Sequence, residues 1–157
     1  MTLKNSGKQL TAEIIRMFEQ QFDVTLPKEY TAFLKETNGG MPEEDLVFAF
    51  FDEVTERLNH SVIQNFFVLY TEENYEADNL KNNCIQLWDE MALGYDMLPF
   101  GQDPGGDYLC LSLCGDDCGS VYLCNHEYED SETGFLVKSK VADSFSAFLS
   151  CLNSDEE

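Results

Sequence analysis

MLPFGQDPGGDYLCLSLC, residues 97–114, is the stretch on which the fold turns. It crowds three glycines, two prolines, two aspartates and two cysteines around a short apolar run. Those residue types can make a phosphate cradle, a metal site or a structural corner. A phosphate loop needs glycines that open a helix, whose amides face the anion, and usually a lysine. Here Gly101, Gly105 and Gly106 lead instead into YLCLSLC (108–114), no lysine lies nearby, and Asp103 and Asp107 would repel an anion. By the strand period of two, Leu109, Leu111 and Leu113 share one face of that run and Tyr108, Cys110, Ser112 and Cys114 the other. Pro104-Gly105-Gly106 suits a tight turn between two strands, which makes the stretch a corner.

The metal alternative rests on Cys110, Cys114, Cys118, Cys124 and His126. Zinc knuckles pair thiolates two to four residues apart and repeat the pair at a distance. The first pair here lies along a strand, too far apart for one ion, although tertiary pairing could still gather Cys114, Cys118 and Cys124. Asp103, Asp107, Asp116 and Asp117 offer oxygens without an EF-hand pattern. The expectation is no metal and no cofactor, with the cysteines acting as small hydrophobes, Cys84 and Cys151 among them in helical patterns. For catalysis, a nucleophile needs a base, and only His60 and His126 are present. Cys124 and His126 share a strand face by period, but no convergent motif surrounds them, so the chain is expected not to be an enzyme.

Outward from the corner, strands are expected at 97–100, 108–114, 120–126 and 135–138, with Gly115-Asp116-Asp117-Cys118-Gly119 as a hairpin loop. Upstream, LVFAFF (46–51) and FFVLY (66–70) read as further strands. Val54, Leu58 and Val62 between them fit a helical stripe, and a helix is expected around 79–91. At the N-terminal end, Leu10, Ile14, Phe18 and Phe22 recur every four residues behind Thr11, a capping residue. A second helix opens at Pro27, presents Tyr30, Phe33, Leu34 and Thr37, and closes at Asn38-Gly39-Gly40. A last helix starts at Asp143 or Ser144, buries Phe145, Phe148, Leu149 and Leu152, and frays in SDEE. The fold class is α+β: a central, mostly antiparallel sheet flanked by N-terminal helices and a C-terminal helix. One domain over 1–157, with an ordered core at about 9–152, accounts for the whole length.

Charge restricts function further. The chain has 157 residues, and 30 acidic against 9 basic ones leave a net charge of -21. Nucleic acid is excluded as a ligand because its binding needs lysine and arginine to displace counterions, and an anionic membrane is disfavoured likewise. A basic protein partner suits such a field, which raises association rates to about 10⁸–10⁹ M⁻¹s⁻¹ in good cases. The carboxylates cluster in loops: Glu72, Glu73, Glu76 and Asp78; Asp103 and Asp107; Asp116 and Asp117; Glu127, Glu129 and Asp130. Tyr75 and Tyr128 interleave two of these clusters, the mixture an interface uses. Neither a signal peptide nor an apolar run long enough to span a membrane is visible, so a cytoplasmic location is expected.

LPKEYTAFLKETNGGMP (26–42), LPFGQDPGGDYLCLSL (98–113), GSVYLCNHEYE (119–129) and VADSFSAFLSCL (141–152), in that order, resemble the SUKH superfamily of fungal cell-wall-assembly regulators and bacterial immunity proteins. Ser112 and Asn125 depart from that pattern, where relatives often carry Asp and Trp or Asp. The resemblance implies an antiparallel sheet flanked by helices, no catalytic role, and binding of other proteins. By matching motif it implies that Pro27, Gly39, Gly40, Gly101, Gly105, Gly106 and His126 define the fold. It points to an immunity protein that neutralises a basic toxin domain, a nuclease by preference, through direct binding. The alternatives are a regulatory scaffold of the same family without a toxin partner, and a metal or small-ligand sensor built on the Cys-rich hairpin.

Overall fold

The structure, a computed structural model, describes residues 1–154. In chain order its elements are β1 (Leu3–Lys4), α1 (Ala12–Phe22), α2 (Lys28–Glu36), β2 (Met41–Pro42), β3 (Leu46–Asp52), β4 (Arg57–Val62) and β5 (Asn65–Phe66). Then follow α3 (Leu80–Glu90), β6 (Met97–Gln102), β7 (Tyr108–Ser112), β8 (Val121–Glu129), β9 (Leu136–Ala142), α4 (Phe145–Cys151) and β10 (Asn153–Ser154). Strands β5-β6-β7-β8-β9 form an antiparallel sheet in that order, β10-β3-β4 a second, and β1-β2 a small third. This is the α+β arrangement expected, with helices on the central sheet and a closing C-terminal helix.

Local chemistry sets the helix ends. The Thr11 hydroxyl accepts the Ile14 amide at 3.2 Å, and Asp23 closes α1 in the left-handed region at φ 52°. Ser144 caps α4 through the Ala147 amide at 3.0 Å. Pro27 stands one residue outside α2, as its cap and not its first helical residue. The glycines after α2 do a different job from the one their position suggests. Thr37 already ends the helix in extended geometry, and Gly39 and Gly40, at φ 66° and 124°, carry the chain against β5. A Cβ at Gly39 would stand 2.5 Å from the Phe67 carbonyl oxygen, and Gly40 and Phe66 exchange backbone bonds of 3.0 and 2.8 Å.

The core lies between the central sheet and the helices. Every residue of β7 is buried, so the two faces read from its alternation are both interior. Tyr30, Phe33, Phe100, Phe145 and Phe148 form one aromatic cluster, with Tyr30–Phe145 and Phe100–Phe145 edge-on at 5.4 and 5.3 Å. Such pairs add about 0.5–1.5 kcal/mol beyond the area they bury.

Three expectations are corrected. Residues 54–62 are not helical: Thr55 and Glu56 lie in a turn, Glu56 at φ 57°, and Arg57 to Val62 pair with β3. The stripe Val54, Leu58, Val62 fails as a helix because pairing with an aromatic strand fixes the segment extended, with Leu58 81% exposed. Phe66–Tyr70 is a strand only at its first residue: Phe67 still reaches the Phe100 carbonyl, then Val68 turns to bridge Asn79. Cys151 is exposed at the end of α4, where it was expected to pack. Of the SDEE tail, Ser154 pairs with Leu46 in β10 and residues 155–157 lie outside the described residues. Among the described residues no helix is long and apolar enough to cross a membrane.

Candidate protein-binding surface

The corner between β6 and β7 is built by its aspartates. Asp103 is buried; its carboxylate accepts the Asp107 amide at 2.9 Å and the Ser61 hydroxyl at 2.9 Å, tying the turn to β4. Asp107 in turn accepts the His126 amide at 3.1 Å and meets His126 Nδ1 at 2.6 Å. Gly106 lies over the imidazole at φ 94°, a left-handed conformation that favours glycine, and a Cβ there would touch the ring at 3.4 Å. The Asp107 hydrogen bond holds the His126 pKa above the usual histidine value against the opposing effect of burial. Two candidate contact residues, Asp103 and Asp107, thus spend their carboxylates inside the fold, and His126 locks β8 to the corner.

The loop between β7 and β8 is knotted in the same way. Asp117 accepts the Tyr122 hydroxyl at 2.5 Å and the Ser112 hydroxyl at 2.8 Å, which holds its carboxyl below the usual range. Burial first, then that bond, raises Tyr122 to about 12. Lys138 sits over the Tyr122 ring at 4.7 Å. Ser112 is therefore a second anchor for Asp117. Asp116 beside it is exposed.

The loop from Thr71 to Asp78 is largely exposed. Asn79 caps α3, and both Asn79 and Asn82 donate to the Asn74 carbonyl, at 2.7 and 3.0 Å, so the loop backbone is pinned. Asp78 accepts the Tyr70 hydroxyl at 2.7 Å; burial and then that bond raise Tyr70 to about 12. Glu72, Glu73 and Glu76 are exposed around Tyr75, itself 85% exposed with its hydroxyl donating to Glu73. Glu72 makes a 3.8 Å surface pair with Lys8, a contact of about 0–1 kcal/mol at most in water. The result is a loop with a hydrogen-bonded backbone and exposed charged side chains.

The sequence matches the SMI1 / KNR4 family (SUKH-1) over residues 9–151. The chain belongs to that family. Membership fits a protein-binding role in general. No curated protein sequence matches the chain. The matched span runs from just before α1 to the last residue of α4, so the corner and all three acidic loops belong to the SUKH-1 fold.

Within this SUKH-1 fold the acidic groups do not converge on one spot. Asp116 and Asp117 precede β8 while Glu127, Glu129 and Asp130 lie at its far end, about 25 Å away at ~3.3 Å per residue. Glu127 reaches back to His126 Nε2 at 3.4 Å, and Tyr128 is 53% exposed. The cysteines do not converge either. Cys84, Cys110 and Cys124 are buried, and Cys114, Cys118 and Cys151 are exposed. Cys114 and Cys118 therefore do not act as core hydrophobes. Among the described residues no three His, Cys, Asp or Glu side chains are grouped to hold a metal ion. Cys124 is buried, the β8–β9 register shifts between Cys124 and Glu129, and His126 turns to Asp107. What the sequence missed is the exposed β3–β4 hairpin, whose signal was the alternation Leu58, His60, Val62.

Proposed function

We propose that this SUKH-1 protein is an immunity protein that binds a basic toxin domain, a nuclease by preference, and occludes its nucleic-acid groove. The observation that carries this is the 71–78 loop: exposed Glu72, Glu73 and Glu76 around an exposed Tyr75, on a backbone pinned by Asn79 and Asn82. A groove built for phosphate already favours negative charge, so an anionic protein surface can replace its natural ligand at little desolvation cost. The tyrosine supplies apolar contact, and pinning lowers the ordering cost on binding. Net charge -21 extends the attraction beyond contact distance.

In this proposal the protein performs no chemistry. Support comes from Cys124, 1% exposed, and from His126, whose imidazole is committed to Asp107. The proposal also places the protein in the cytoplasm, where its six thiols stay reduced. The test is co-expression with a basic toxin domain taken from a gene adjacent to its own, scoring survival and recovering the pair by size exclusion. Rescue with a stoichiometric complex supports the proposal. Failure of rescue with both proteins soluble overturns it.

A further inference from the structure

We infer that the free edge and outer face of the β3–β4 hairpin are the docking site for an extended strand of the basic partner, an assignment that rests on the function proposed above and supplies its surface. The register pairs Val47 with Val62, Ala49 with His60 and Phe51 with Leu58. Cross-strand partners share a face, so these six side chains lie together on the side opposite the buried Phe48 and Phe50. None of these six side chains is a carboxylate, and Phe51 and Leu58 are 45% and 81% exposed. In a chain of net charge -21, an acid-free apolar sheet face is where a partner strand loses least on burial.

Among the described residues β4 pairs with β3 alone, leaving its other side open. The His60 amide donates to its neighbour Asn59 Oδ1 at 2.8 Å and not to β3, while Ile63 reaches the Leu46 carbonyl. By the antiparallel alternation, Leu58, His60 and Val62 therefore turn their backbone groups to the open edge. Such an edge is a template for strand addition.

Charge selects the occupant. Exposed Glu43, Glu44 and Asp45 stand at the root of the hairpin and exposed Glu53 and Glu56 at its tip, against Arg57 as the one lysine or arginine on the two strands. An apolar centre between acidic ends fits a strand of alternating apolar residues flanked by lysine or arginine. A second copy of this chain fits badly. Antiparallel β4–β4 pairing would set the tip carboxylates of one copy against the root carboxylates of the other.

The test uses a synthetic peptide of alternating lysine and valine, about nine residues to match strand length, and the same peptide N-methylated at alternate amides so that it cannot pair. Amide exchange and chemical shifts are followed on the isotope-labelled protein. The plain peptide is expected to slow exchange at Leu58 and Val62 and the methylated one to leave it unchanged. Phe51→Asp and Leu58→Asp, both at exposed positions, are each expected to weaken the plain peptide about tenfold. Three results overturn the assignment: both peptides mapping only to 71–78 or 127–130, no peptide binding at low salt, or protection of the same amides in a dimer without peptide. Rescue on co-expression alongside any of these would leave the immunity function standing and move its surface elsewhere.

Discussion

At the scale of single residues the carboxylates divide into those that build and those that face outward. Asp103, Asp107 and Asp117 hold turns together, whereas Glu72, Glu73 and Glu76 have exposed side chains on a pinned loop. The Asp107–His126 pair is testable through pH. Because the folded His126 pKa is raised, its contribution to stability is fully present below the unfolded value near 6.5 and is lost as pH rises through the folded one. His126→Gln should lower the melting temperature by about 2 °C near pH 6, from roughly 0.5–1 kcal/mol, and the gap should narrow on going to alkaline pH. A gap that widens with pH contradicts the assignment. Thiol accessibility gives a second check: alkylation of the native protein should modify Cys114, Cys118 and Cys151. Cys84, Cys110 and Cys124 should react only after unfolding, since burial covers all three and raises the pKa of Cys84 and Cys110. Mass spectrometry of the labelled peptides decides it. The resemblance implied a structural His126 but not its partner, because Asp107 is nineteen residues away and a register shift, not strand period, sets where the ring points.

Elements with a strong period and a visible cap were readable directly. Thr11, Ser144 and the spacing of Leu10, Phe18, Phe145 and Phe148 placed α1 and α4, because capping and one-sided burial act locally. Residues 54–62 were not readable: four-residue spacing of Val54, Leu58 and Val62 competed with two-residue spacing of Leu58, His60 and Val62, and only pairing with β3 decides between them. The Asn38-Gly39-Gly40 signal was legible as a break but not as a close approach, since the Phe67 carbonyl arrives from a segment distant in sequence. Gly39→Ala should therefore cost about 2–3 kcal/mol, from a left-handed φ and a 2.5 Å clash with backbone. Gly105→Ala, whose Cβ would meet nothing nearer than Asp103 at 3.5 Å, should cost well under that. Urea midpoints of the two variants, measured side by side, check the difference; equal losses contradict it.

For the whole molecule, a net charge of -21 led to the expectation of a cationic partner and not a nucleic acid, and the fold adds where the charge is exposed. The acidic groups are spread over loops at opposite ends of β8 and over the 71–78 loop, so the field is broad and suits steering more than a single ion-pair lock. Strand docking on this account falls to the hairpin face, and long-range attraction, together with the contact of Tyr75, to the acidic loops. The two roles separate experimentally because steering acts on association and is screened by salt, while contact acts mainly on dissociation. The most direct measurement is stopped-flow association with the toxin-like domain across ionic strength, comparing the native protein with Glu72→Lys/Glu73→Lys and with Glu129→Lys/Asp130→Lys. Association is expected to slow about tenfold or more in each variant at low salt and to converge with the native rate at high salt. Native rates in both variants at low salt would contradict the claim that this protein works by offering a negative surface to a positive partner.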